Sequence, residues 1–146
     1  MKLKLYKANE KNLKALVTMY QTYYHDEGEH WDEKTIYQRF RQILLMPDSI
    51  FYLASINDQV VGFIMGYYLF FSDGPILYVA EILVKKEFQG QHLGSEIMAF
   101  VEKEARNAKA KAIILETLDD RLHNHFYDKL GFVTKKELVF KKKILN

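Results

Sequence analysis

Three β-rich runs stand close together in the middle of the chain: Ile50–Ile56, Val60–Phe71 and Ile76–Val84. Only Asn57-Asp58-Gln59 separates the first two, and only Ser72-Asp73-Gly74-Pro75 separates the second from the third. Connections that short join strands running in opposite directions, because a parallel pair needs a crossover of a dozen residues or more. The third run is largely apolar, which suits a strand covered on both faces. Helical spacing frames these strands. Leu13, Leu16, Val17 and Tyr20 predict a helix that Asn9 caps and that runs to about residue 25. Ile36, Phe40, Ile43 and Leu44 predict a second, from Asp32 or Glu33 to Met46, ended by Pro47. Leu93, Ile97, Phe100, Val101, Ala105 and Ala108 form one stripe on a third. Leu3 and Leu5 predict a short first strand and Ala112–Leu118 a fifth. A helix over Arg121–Leu130 stops at Gly131, and strands at Phe132–Val133 and Glu137–Ile144 close the chain. The order β-α-α-β-β-β-α-β-α-β-β is that of a mixed α/β (α+β) fold with a central, mostly antiparallel sheet flanked by helices. It is expected as one domain over residues 1–146.

Composition removes several classes of function. A chain of 146 residues with 49% hydrophobic side chains buries a core without staples and is neither disordered nor collagen-like. It has no Cys, hence no disulfide framework, thiolate nucleophile or Cys-based zinc site. No apolar run approaches the ~18 residues of a membrane span, and the Lys-Leu alternation at the start is unlike a signal peptide. A cytoplasmic protein that binds no membrane is expected. The net charge of +2 and the placement of most aromatics in strands argue against nucleic acid as a partner. One local excess stands out: Asp26, Glu27, Glu29, Asp32 and Glu33 place five carboxylates in eight residues. That is either a solvated loop feeding a helix N-terminus or the acidic rim of a binding site.

The segment after Val84 carries the first chemical motif. A polar, glycine-containing turn that opens a helix offers unpaired backbone N–H groups and the positive end of the helix dipole, a setting for phosphate. It is neither a dinucleotide fingerprint nor a P-loop. Gln89-Gly90-Gln91-His92-Leu93-Gly94-Ser95 resembles the pyrophosphate loop Q/R-x-x-G-x-G/A of the GNAT family of N-acetyltransferases. Asn124-His125-Phe126-Tyr127-Asp128-Lys129-Leu130-Gly131-Phe132 resembles that family's F/L-Y-x-x-x-G-F. The order of elements matches the family's fold across nearly the whole chain.

The resemblance implies an acetyl-CoA-dependent N-acetyltransferase that moves the acetyl group directly from thioester to primary amine. It implies that the backbone of Ile82, Leu83 and Val84 pairs with the pantetheine arm. Gln89, Gly90, Gln91, His92, Leu93, Gly94 and Ser95 would form the pyrophosphate cradle, and Tyr127 would protonate the departing thiolate. The plain alternative for Tyr127 is a core tyrosine beside Phe126 and Leu130. The chain departs from the pattern at His92, where the family has Gly; a helical conformation there would accommodate the Cβ. It departs again at Asp120, where relatives often place Asn near the pantetheine.

An alkyl amine with a pKa of ~10.4 is protonated at neutral pH, so transfer needs a proton acceptor. Glu81 interrupts the apolar run Tyr78–Val84, and a carboxylate in a central strand is costly unless paired or functional. It is the candidate base, directly or through water; a structural role and Glu116 are the alternatives. Glu27, Glu29, Trp31 and Asp32, with Tyr23 and Tyr24, are candidates to meet a cationic acceptor such as a polyamine or an aminoglycoside-like amine. A protein or peptide amine is an alternative acceptor, and a non-catalytic acyl-CoA-binding domain is an alternative function. A homodimer is compatible with the sequence. His123 and His125 splay apart at a helical spacing of two, so no metal is expected.

Overall fold

The computed structural model describes residues 2–146, in two compact units that meet in sequence between Leu115 and Glu116. The first runs β1 (Lys4–Lys7), α1 (Leu13–Asp26), α2 (Glu33–Leu44), β2 (Ser49–Ile56), β3 (Gln59–Phe71), β4 (Gly74–Val84), α3 (Leu93–Asn107) and β5 (Ile113–Ile114). The strands form one sheet in the order β1-β2-β3-β4-β5. The first three ladders are antiparallel and the β4–β5 ladder is parallel, with α3 as the crossover between those two strands. The fold is therefore the mixed, mostly antiparallel α/β arrangement expected from the sequence.

Turn chemistry sets the meander. Ile56 pairs with Gln59, leaving Asn57 and Asp58 as a two-residue loop with φ of 50° and 64°. Two consecutive positive φ angles match the right-handed twist of the flanking strands, and Asn and Asp tolerate that region best among non-glycine residues. At the start of α1, the Asn9 side chain accepts from the N–H groups of Lys11 and Asn12, so it organises the turn before the helix rather than capping it. Asp32 caps α2, accepting from the Thr35 N–H at 2.7 Å.

The sheet is covered on both faces. Leu13, Leu16, Val17 and Tyr20 of α1 and Ile36, Phe40 and Ile43 of α2 close over Phe51, Leu53, Phe63, Met65 and Leu83. Tyr52 and Ile64, which alternate with these, are buried on the other face together with Leu77 and Val79 of β4. There Tyr52 meets the Phe100 ring edge-on at 4.9 Å and donates to Glu104 at 2.6 Å, tying β2 to α3.

The second unit, Glu116–Asn146, contains α4 (Arg121–Lys129) and otherwise irregular backbone. Two expectations are corrected here. Phe132–Val133 and Glu137–Ile144 are not strands, and the fifth strand is two residues long rather than seven. β-propensity describes fit to a pleated surface and forms no ladder without a partner edge. Leu138, Val139 and Phe140 are consecutive apolar residues without the alternation of a one-sided strand, and each is more than 70% exposed.

Candidate active site

The sheet aims a carboxylate at α1 and α2 by an irregularity in β4. Met65 lies opposite Glu81 while Gly66 lies opposite Val79, so Ala80 is an extra residue bulged out of the ladder. The bulge reverses the strand's alternation. Before it, Leu77 and Val79 face α3; after it, Glu81 and Leu83 share the face of Met65, under α1 and α2. An unbroken β4 would put Glu81 on the same side as Val79. Gly66 permits the bulge, because a Cβ there would run into the Tyr78 carbonyl oxygen.

Glu81 is surrounded by donors from both helices. Its side chain is 12% exposed. Oε1 accepts from the Tyr20 hydroxyl at 3.1 Å and from Arg39 Nε and Nη2 at 3.1 and 2.9 Å. Oε2 accepts from the Tyr24 hydroxyl at 2.7 Å. A carboxylate offers about four acceptor positions over its two oxygens; three donors crowd Oε1, and Tyr24 is the one hydrogen-bond donor on Oε2 among the described residues. Burial and then the Glu81 charge push the Tyr20 and Tyr24 phenols well above their ordinary pKa, so both donate as neutral groups. Burial works against the Arg39 charge, but Glu81 outweighs it and holds the guanidinium protonated. Tyr20 is 1% exposed, whereas Tyr24 keeps part of its side chain in solvent. Tyr23 and Trp31 continue the aromatic surface, with ring centroids 5.1 and 6.1 Å from Tyr24.

The acidic segment is mostly engaged with the protein itself. Asp32 is the α2 cap, Glu29 accepts from the Trp31 indole at 3.3 Å, and Glu27 pairs with Lys86 at 3.5 Å. The same Lys86 ammonium stands 5.6 Å from the centre of the Tyr23 ring. Three of the five carboxylates are thus a cap or a partner within the protein.

Beyond the bulge, β4 keeps its ladder to β3 through Ile82, Leu83 and Val84, while its ladder to β5 stops at Tyr78. The turn that follows is pinned at Lys85, whose N–H bonds Val61 O at 2.8 Å, and passes through one 3-10 turn, Lys86–Phe88. The Gln89 side chain folds back to donate to the Val84 carbonyl at 2.9 Å. Gly90 has φ of 77° and His92 φ of 64°, after which α3 begins at Leu93. The first N–H groups of α3 therefore point out of the helix end without intrahelical acceptors. His92 is left-handed, not in the helical conformation that would accommodate its Cβ. An L side chain in that region carries a steric cost of roughly 1–2 kcal/mol.

In the second unit, Asp120 caps α4, accepting from the His123 N–H at 2.8 Å and meeting the His123 ring at 2.8 Å. The end of α4 gives the Y-x-x-x-G-F pattern a physical meaning. Phe132 N–H bonds Tyr127 O at 3.1 Å, Gly131 N–H bonds Asp128 O at 3.0 Å, and Gly131 has φ of 92°. This is a Schellman motif, with Tyr127 three positions before the cap, the glycine in the left-handed position, and the accompanying apolar contact between Tyr127 and Phe132 rings at 5.6 Å. The Tyr127 hydroxyl has no hydrogen-bond partner among the described residues and is not sealed from solvent. Burial raises its pKa. No group of three or more His, Asp or Glu among the described residues is placed to hold a metal ion.

Sequence reading singles out Glu81, and Tyr24 separately as a neighbour of the acceptor, but identifies none of Tyr20, Tyr24 and Arg39 as partners of that carboxylate. The four-residue spacing of Tyr20 and Tyr24, which stacks two phenols on one helix face, is the signal that was available.

The model of the acetyltransferase (GNAT) family matches residues 13–132. An aminoalkylphosphonate N-acetyltransferase of Salmonella typhimurium is 36% identical over 104 residues, covering 66% of this chain and 67% of that protein. A GNAT family acetyltransferase from Staphylococcus aureus superposes with a TM-score of 0.78 at 18% identity, covering 99% of this chain and 100% of the other. A predicted acetyltransferase from Clostridium acetobutylicum, solved with acetyl-CoA, gives a TM-score of 0.77 at 19% identity, covering 97% and 96%. At those identities the two structures are similar in fold.

Proposed function

The chain belongs to the GNAT family of acetyltransferases, and from that premise we propose that it transfers acetyl from acetyl-CoA to the primary amine of a small molecule, with Glu81 receiving the amine's proton and Tyr127 protonating the leaving thiolate. Acetyl-CoA-dependent acetyl transfer follows from the family; the acceptor and the residue roles are our reading. The observation that carries it is the setting of Glu81. A carboxylate is brought to the helix-covered face by a bulge, held by two phenols and a guanidinium, and left with spare acceptor capacity on Oε2.

Two features of the backbone support this reading of where the cofactor binds. The open β4 edge at Ile82–Val84 supports pairing with the pantetheine arm, and the turn from Gln89 to Ser95 supports binding of the pyrophosphate at the α3 N-terminus. A Tyr127 hydroxyl that burial keeps protonated suits a general acid. With no Cys for a covalent relay, a single direct transfer is the simplest route. Orientation and fixed dipoles then supply most of the acceleration.

The relative's aminoalkylphosphonate activity makes amines of that class the first to assay. The acidic segment supports a polycation less than its composition implies, because Glu27, Glu29 and Asp32 already have partners. The aromatic surface of Tyr23, Tyr24 and Trp31 beside Glu81 suits a single ammonium group. The test is acetyl-CoA turnover against aminoalkylphosphonates, spermidine, kanamycin and a lysine peptide. A kcat/KM at least about tenfold higher for an aminoalkylphosphonate than for the rest supports the reading. Turnover confined to the peptide overturns the acceptor class, and turnover of none overturns the function.

A further inference from the structure

We propose that Tyr24 is a catalytic residue that takes the acceptor's ammonium proton and hands its own hydroxyl proton to Oε2 of Glu81. The inference rests on the reading of Glu81 given above and adds the path by which the proton arrives. Glu81 is 12% exposed, and Oε1 already accepts from Tyr20 and twice from Arg39. Oε2 is the oxygen with room for a proton, and its donor is Tyr24 at 2.7 Å. Tyr20 makes a similar bond but is 1% exposed, so its hydroxyl meets no acceptor. Tyr24 is half-buried and stands between the carboxylate and the aromatic surface of Tyr23 and Trp31.

The hydroxyl is equipped for the relay. A phenol donates once and accepts through its oxygen. Its donor is committed to Glu81, which leaves the oxygen to accept an N–H from the ammonium. In the step, the N–H bond of R–NH3+ breaks and a new O–H forms on Tyr24 while the former Tyr24 O–H breaks and a new O–H forms on Glu81. The products are a neutral amine, a neutral tyrosine and a neutral glutamic acid. The groups that face Tyr24 are Tyr20 and Tyr23 from α1 and Glu81 from β4, with Arg39 of α2 on the far oxygen. Burial and the Glu81 charge disfavour a free tyrosinate, so the two transfers occur together.

Tyr24→Phe keeps the ring contacts and removes the relay. The assay compares 2-aminoethylphosphonate with its less basic 1,1-difluoro analogue, whose nitrogen carries a proton much less of the time at pH 7. The relay requires a loss in kcat of about 100-fold with the basic amine, little change in KM, and a markedly smaller loss with the fluorinated amine or at high pH. Unchanged kcat, or an equal loss with both amines at every pH, overturns it. A proton inventory on the wild-type protein is independent of how the variant folds. Two protons moving together give a curved dependence of kcat on deuterium fraction, and a linear dependence overturns the relay. Glu81→Gln separates the two levels: if it abolishes turnover while Tyr24→Phe does not, only the relay fails. If Glu81→Gln is fully active, the reading beneath it fails. Wild-type protein that acetylates neither phosphonate overturns the acceptor class and the relay with it.

Discussion

Tyr24 donates a 2.7 Å hydrogen bond to Oε2 of Glu81 across 57 residues of sequence, and it does so because Ala80 is bulged out of β4. One extra residue in a strand determines which helices the carboxylate meets. The site is thereby coupled to the sheet's register, and the surrounding sequence can be tested through that coupling.

Gly66 is where the coupling is most exposed to substitution. In Gly66→Ala the new methyl meets the Tyr78 carbonyl, and β3 and β4 must separate beside the bulge. Overpacking of this kind costs typically about 1–3 kcal/mol, which denaturant unfolding reads directly. Activity is expected to fall beyond the loss of folded protein, since the shift moves Glu81 relative to Tyr20 and Tyr24.

His92 gives a prediction of opposite sign. Its φ of 64° lies where glycine is at ease and an L side chain is not. His92→Gly relieves roughly 1–2 kcal/mol of steric cost and gives back about 0.5–1 kcal/mol in unfolded-chain entropy. A gain of about 0.5–1 kcal/mol is expected, seen as a rise in Tm. The Kd for CoA by calorimetry is expected to tighten or hold; a lower Tm would show that the imidazole contributes a contact that offsets the strain.

The helix caps contribute to the loss of stability in acid. The Thr35 N–H holds the Asp32 carboxyl below the ordinary carboxylate range, and the His123 N–H does the same for Asp120. A depressed folded-state pKa contributes stability that is fully present above the unfolded value of about 3.9 and is lost as pH falls through the lower folded value. Thermal unfolding between pH 7 and pH 2.5 is expected to show Tm falling below about pH 4. Asp32→Asn keeps a good cap without the titration, so its curve is expected to fall less steeply.

Much of this was legible in the sequence because the signals are local. Asn57 and Asp58 announce the hairpin, Asp32 the α2 cap, and Gly131 with Phe132 the end of α4. Glu81 was legible as a charge inside an apolar run. The bulge was not, since Ala80 suits either face and leaves no break in the pattern. Arg39 was hidden because an arginine on α2 reads as solvent-facing until β4 supplies its carboxylate. The strands expected after Gly131 show the converse error, in which local propensity stood in for a partner edge.

The most direct measurement is acetyl transfer from acetyl-CoA to 2-aminoethylphosphonate by wild-type and Glu81→Gln protein, with CoA affinity measured in parallel. Gln keeps the shape of the side chain and removes its capacity to take a proton. Unchanged CoA binding with kcat lowered by about 100-fold or more is the expected result. Wild-type kcat in Glu81→Gln would contradict the assignment of the proton to this carboxylate.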